Sequence, residues 1–111
     1  MDKGKLTVVV SEQFHDDMKN IFHYGIETFG YVSAVKFNEN IEKLVNNLGI
    51  AYYMYPECRF LATKSKMYRN IILESYLIIY RVTTIRVEVL RVFHSSICAS
   101  GRIRLVRKIS M

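Results

Sequence analysis

The chain has 111 residues, half of them hydrophobic, and a single proline. This length suits one hydrophobic core, and the apolar content can offset the entropy of ordering the chain, so we expect one folded domain over residues 1–111. The longest apolar runs are far shorter than the roughly 18 residues of a membrane span, and the charged first residues are unlike a secretory signal. These features argue against a disordered, membrane or exported protein and predict a cytoplasmic one.

The formal net charge of +6 is unevenly distributed along the sequence. Residues 1–58 contain eight acidic and five basic side chains, whereas residues 59–111 contain eleven basic and two acidic ones. Most of the bases in the second half are arginines, whose planar guanidinium pairs bidentately with phosphate or carboxylate. The second half is therefore suited to a polyanion or an acidic protein, although a solvated basic face would give the same pattern.

The first half of the chain predicts a strand and two helices. Residues 5–10 are rich in β-branched side chains and indicate a strand. Ser11 is a candidate N-cap for a helix that apolar residues at helical spacing continue to Gly30. A second helix with the same spacing runs to Leu48, and Gly49 is expected to stop it. The short link at Gly30 makes the two helices an antiparallel hairpin, whose joint apolar face needs a sheet.

Three strands follow an aromatic connector at residues 51–66. Apolar residues recur at every second position over residues 68–73, 76–82 and 86–93, which indicates three strands. The short gaps between these segments are typical of hairpins, so we expect an antiparallel meander. The predicted fold is therefore α+β, with one sheet packed on the helices. Alternation in the last strand places Val87, Val89, Arg91 and Phe93 on one face, which predicts an open, partly polar surface opposite the helices.

A short basic segment, residues 102–109, follows the last strand. It reads Arg-Ile-Arg-Leu-Val-Arg-Lys-Ile, and its arginines are Arg102, Arg104 and Arg107. The pattern is amphipathic and fits either a terminal helix or a flexible arm.

The sequence offers few groups for catalysis. The histidines and the two cysteines, Cys58 and Cys98, lack metal-ligand spacing, and no glycine-rich phosphate loop is present, so we expect no metal and no cofactor. His94, at the end of the last strand, could act as base or acid in metal-free RNA cleavage, with Arg81 and Arg91 stabilising the phosphorane. The same arginines, together with Arg69, could equally neutralise an acidic protein partner.

The strand segments resemble the RelE/ParE family of toxins from bacterial type II toxin–antitoxin systems. The similarity covers the chain from about Leu6 to Ser96 and includes the order of the elements. It is carried by a hairpin and a last strand, Tyr68-Arg69-Asn70-Ile71-Ile72-Leu73-Glu74-Ser75-Tyr76-Leu77-Ile78-Ile79-Tyr80-Arg81-Val82 and Arg86-Val87-Glu88-Val89-Leu90-Arg91-Val92-Phe93-His94.

The resemblance implies a toxin that arrests growth, stabilises plasmids and is silenced by an acidic antitoxin. RelE-like members cleave messenger RNA on the ribosome, whereas ParE-like members bind and poison DNA gyrase. At Leu77, where the resemblance to the nucleases would place a catalytic arginine, this chain has an aliphatic residue, and no tyrosine follows His94. We therefore favour a ParE-like toxin that is not an enzyme.

The alternatives are a ribosome-dependent endoribonuclease and a non-toxic basic binding module. The residues expected to contact the target or the antitoxin are Arg69, Arg81, Arg91, Arg102, Arg104 and Arg107.

Overall fold

The computed structural model describes residues 5–57 and 67–94. Cys58, Cys98 and residues 102–109, for which predictions were made above, lie outside the described residues. The elements in chain order are β1 (Thr7–Val10), α1 (Glu12–Phe29), α2 (Tyr31–Ala51), a 3-10 turn (Tyr52–Met54), β2 (Tyr68–Leu73), β3 (Tyr76–Val82) and β4 (Arg86–His94).

The four strands form one sheet in the order β1-β4-β3-β2. Strands β2, β3 and β4 pair antiparallel, so the predicted meander is confirmed. Strand β1 lies at one edge and runs parallel to β4. In chain order the helix hairpin follows β1 and precedes β2, which lies at the opposite edge of the sheet. This arrangement is the predicted α+β fold.

The helix hairpin begins and turns at the predicted residues. Ser11 caps α1, since its Oγ accepts the amide hydrogen of Phe14 at 3.0 Å and donates to the carbonyl of Leu90 at 2.6 Å. The cap thus also ties the start of the helix to β4. Gly30 separates the helices with a φ of 92°, a conformation that favours glycine.

Gly49 does not stop α2, contrary to the prediction. The helix continues to Ala51 and the 3-10 turn. A Cβ atom at Gly49 would lie 2.5 Å from the carbonyl oxygen of Leu6, while the Leu6 amide donates to the Gly49 carbonyl at 2.7 Å. The glycine is therefore needed for the close approach of the segment before β1 to the helix, and not for helix termination.

The face of the sheet toward the helices forms the hydrophobic core. Ile41 and Leu48 of α2 are fully buried against it, together with Ile78 and Tyr80 of β3. Strand β4 contributes Val87, Val89 and Val92 to this cluster.

The predicted alternation of β4 is wrong beyond Val89. The register pairs Tyr80 with Val89 but Ile79 with Arg91, so Leu90 is an extra residue in a β-bulge. A bulge reverses which face the following side chains reach, and Val92 therefore joins Val89 on the helix side. The opposite face is not the open polar surface expected from the sequence, because Ile79 there is fully buried and Phe93 is 7% exposed.

Candidate functional site

Arg81 and Arg86 are both paired with Glu88. Arg81 Nε lies 2.5 Å from Glu88 Oε1 and its Nη2 also contacts this oxygen, while Arg86 Nε and Nη2 lie 2.7 Å from Oε2. The Glu88 side chain is only 5% exposed. Both carboxylate oxygens are thus occupied, and each arginine directs its fork toward the protein.

The electrostatics of this triad keep Glu88 and Arg81 charged. Burial alone would raise the pKa of Glu88, but hydrogen bonds and charge attraction from Arg81 and Arg86 outweigh it, so the pKa lies below its ordinary value. Burial would likewise lower the pKa of Arg81, and hydrogen bonds with Tyr68 and Glu88 hold it above its ordinary value instead. The triad is an internal ion network of the sheet.

Arg91 is bound by a carboxylate of the first helix. Its Nε and Nη2 lie 2.7 and 2.9 Å from the two carboxylate oxygens of Asp17, in a bidentate pair. The Val92 amide donates to Asp17 Oδ2 at 3.0 Å. Strand β1 ends opposite Val89, so Asp17 supplies an acceptor to the edge of β4 beyond the reach of β1.

Arg69 binds backbone carbonyls at the end of the helix hairpin. Its Nη1 donates to the carbonyl oxygen of Tyr55 and lies 3.4 Å from that of Tyr53. The hydroxyl of Tyr80 donates to the carbonyl of Tyr52 at 2.6 Å, and burial raises the pKa of this hydroxyl above its ordinary value. The last turn of the hairpin contains no basic residue. Arg69 therefore supplies the positive charge that a helix C-terminus favours.

His94 lies far from Arg81, one of the two arginines proposed to act with it in RNA cleavage. Arg81 pairs with Glu88, and the extended strand from Glu88 to His94 spans about 20 Å. Arg91 is bound to Asp17, and the His94 ring instead packs edge-on against Tyr76 at 5.5 Å between centroids. The structure does not bring His94, Arg81 and Arg91 together as a catalytic set.

A groove between the helix hairpin and the β2–β3 turn was not anticipated from the sequence. It has a volume of about 390 Å³. Its walls include aromatic side chains from both helices and from β3, with a glutamate in the turn and a histidine at the end of β4. The residues that give it this character are Tyr24, Phe29, Phe37, Glu74, Tyr76 and His94.

The sequence contained a signal for this groove, but an ambiguous one. Phe29 and Phe37 occur at spacings that also fit the buried side of a helix, and they were interpreted as such, whereas Tyr24 was not singled out. Tyr24 is 56% and Phe29 69% exposed, so these rings lie at the rim of the groove and not in the core.

The part of the chain that the structure describes shows neither a membrane span nor a metal cluster. Neither helix in residues 5–57 is long and apolar enough to cross a membrane. Within residues 5–57 and 67–94, no group of three or more His, Cys, Asp or Glu side chains is placed to hold a metal ion.

These features describe a small α+β domain in which Arg81, Arg86 and Arg91 form internal ion pairs. Comparison with known families is more specific. Residues 8–97 match the ParE toxin of type II toxin–antitoxin systems, parDE, and the chain belongs to this family.

A solved structure supports the fold. A chain of the chromosomal ParDE toxin–antitoxin system from P. aeruginosa superposes with a TM-score of 0.68 and 17% sequence identity, covering 83% of this chain and 98% of that chain. At this identity the likeness establishes the fold alone. No curated protein matches the sequence.

Proposed function

We propose that this chain is a growth-arresting toxin that acts in the cytoplasm by binding a protein target, DNA gyrase, and that a co-encoded antitoxin silences it. The observations that support the proposal, beside the family match, are the separation of His94 from Arg81 and the binding of Arg91 to Asp17. Metal-free RNA cleavage needs an acid or base and a positive charge at the same phosphate. A toxin without that set is better explained by binding than by hydrolysis.

The occupation of the strand arginines supports the same conclusion. Arg81 and Arg91 each direct two guanidinium nitrogens at a carboxylate, and Arg69 binds carbonyl oxygens. Releasing such a partly buried pair leaves a carboxylate without its counter-ion, which is costly. These three arginines are therefore proposed to shape the toxin, and direct contact with the target or the antitoxin is proposed for Arg102, Arg104 and Arg107.

The charge of the described domain also favours residues outside it as the contact, among them the basic segment at residues 102–109. Residues 5–57 and 67–94 contain eight basic and nine acidic side chains, so this part is close to neutral. The remaining residues contain eight basic side chains and one acidic one. An acidic antitoxin would be attracted chiefly to this excess of positive charge outside residues 5–57 and 67–94.

A supercoiling assay with purified gyrase tests the proposal. The wild-type chain is expected to inhibit supercoiling, and the triple variant Arg102→Ala, Arg104→Ala, Arg107→Ala is expected to inhibit about tenfold more weakly, because several charge-assisted contacts are lost together. The matched control replaces the exposed helical residues Lys19, Lys36 and Lys43 with alanine, which removes the same charge elsewhere.

Three results would contradict the proposal. Unimpaired supercoiling at excess toxin rejects gyrase as the target. New 5′ ends on messenger RNA from translating ribosomes, lost in His94→Ala, would establish the nuclease alternative. Normal growth during induced expression would point to a non-toxic binding module.

A further inference from the structure

The groove beside the β2–β3 turn has the composition of a site for an organic cation. Its aromatic rings come from three elements, Tyr24 and Phe29 from α1, Phe37 from α2 and Tyr76 from β3. The Phe37 and Tyr76 rings are tilted against each other, with centroids 5.1 Å apart. Aromatic faces carry negative charge and attract ammonium and guanidinium groups, most strongly where water is partly excluded.

Glu74 is the carboxylate on the wall of this groove. It shares the wall with Tyr76 and Tyr24. The pKa of the Tyr76 hydroxyl is raised, chiefly by burial and further by the charges of Tyr24 and Glu74. The groove therefore favours positive charge, in contrast to the basic character of the chain as a whole.

Glu74 also has a backbone conformation that a glycine would adopt more easily. It is the first residue of the two-residue turn between Leu73 and Tyr76, and its φ is 55°. Of the non-glycine residues that the structure describes, it is the one with a positive φ. A side chain in this region costs conformational energy, and such strain is common at functional positions. The turn alone gives no reason for a glutamate, whereas a charge at the groove does.

The rim of the groove is suited to a protein. Phe29 and Tyr24 continue onto exposed residues at the hairpin turn, Tyr31 at 64% and Val32 at 66% exposure. Exposed aromatic side chains around a pocket are typical of protein interfaces, where they pack on the residues that flank an anchor.

We propose that this groove receives a lysine or arginine side chain of a protein partner, with the aromatic rings around its stem and Glu74 paired with its charge. The proposal is independent of gyrase, because it concerns a surface on the helix hairpin and not residues 102–109.

Titration of the full chain, followed by NMR shifts of the aromatic resonances of Tyr24, Phe37 and Tyr76, tests it. The probes are the tripeptide acetyl-Leu-Arg-Leu-amide, the same peptide with citrulline for arginine, and 4-aminobutylguanidine. The arginine peptide should bind about tenfold more tightly than the citrulline peptide, which keeps the shape and loses the charge. It should also bind more tightly than 4-aminobutylguanidine, which has no flanking side chains to contact the rim.

Two variants separate binding from folding. Glu74→Gln should weaken binding of the arginine peptide about tenfold, since the charge pair is lost. Glu74→Gly should weaken it similarly while raising the melting temperature by about 3 °C, because glycine relieves the strained φ. The control Glu39→Gln removes an exposed carboxylate of α2 that does not line the groove, and should leave binding unchanged.

The proposal is overturned if the citrulline peptide binds as well as the arginine peptide, if Glu74→Gln binds like the wild type, or if none of the probes binds. Equal or tighter binding of 4-aminobutylguanidine would show a small-molecule site and would equally overturn the assignment to a protein partner. None of these results affects the gyrase assay, so the two proposals fail separately.

Discussion

Replacing Glu88 with glutamine tests whether the strand arginines are structural. The substitution keeps the shape of the side chain but removes the negative charge shared by Arg81 and Arg86, whose side chains are 19% and 39% exposed. Removing one partner of a buried ion pair costs about 3–5 kcal/mol. Since water can solvate the more exposed Arg86, we expect the lower end of that range, a loss of about 3 kcal/mol in the free energy of unfolding.

Urea denaturation followed by circular dichroism measures this loss, with the exposed Glu39→Gln as a control that should change stability by less than about 0.5 kcal/mol. A loss below about 1 kcal/mol for Glu88→Gln would refute the reasoning. It would mean that the two guanidiniums find other partners at little cost, and that an accessible arginine face can form after all.

The lowered pKa of Glu88 predicts how the stability of the domain depends on pH. The folded-state pKa of Glu88 is lowered from an ordinary 4.5, so the folded state binds this proton less readily than the unfolded state does. The stabilisation is therefore complete above the unfolded pKa and is lost as the pH falls through the folded value. Between pH 7 and pH 3, the difference in unfolding free energy between wild type and Glu88→Gln should shrink. A constant difference would contradict the assigned ion network.

Two further substitutions test the packing of the hairpin on the sheet. Gly49→Ala should destabilise the domain by about 2 kcal/mol in thermal unfolding, because the new Cβ would meet the Leu6 carbonyl oxygen at 2.5 Å and the backbone at one of the two residues would have to move. An unchanged melting temperature would show that the segment before β1 can shift freely. Asp17→Asn should lower the free energy of unfolding by about 2 kcal/mol, because the bidentate pair with Arg91 is lost. A double-mutant cycle with Arg91→Met should show a coupling energy of at least about 1 kcal/mol. Additive effects of the two substitutions would argue that the pair contributes nothing to stability.

The fold could be predicted because each element has its own local signal. The N-cap at Ser11, the glycine at the hairpin turn and the change from helical to alternating spacing all depend on nearby residues. The pairing of β1 with β4 has no such signal, since the two strands are far apart in the sequence and become neighbours only through the path of the whole chain between them. The role of Gly49 was misinterpreted for the same reason. A glycine is needed there because the backbone of Leu6, which is distant in the sequence, lies directly against it.

The bulge at Leu90 shows why the candidate surface was harder to predict than the strands. One additional residue exchanges the faces of every side chain after it, so correct strand boundaries still gave the wrong face for Val92. Likewise, the partners of Arg81 and Arg91 lie seven and 74 residues away along the chain. Composition revealed these arginines but not the carboxylates that neutralise them.

The distribution of charge in space differs from its distribution along the sequence, and this difference decides which residues can attract a partner. Dividing the sequence in two assigned the strand arginines and residues 102–109 to a single basic half, although Asp17 of the acidic half pairs with Arg91. Because an ion pair has almost no field beyond the screening length of about 8 Å, the paired arginines contribute little to long-range attraction. The excess positive charge belongs to the residues outside 5–57 and 67–94, while Glu74 gives the aromatic groove the opposite preference. A protein partner that engages both surfaces would need acidic residues for the basic segment and a single lysine or arginine side chain for the aromatic groove. A uniformly acidic surface cannot meet both requirements, so the combination makes recognition more selective.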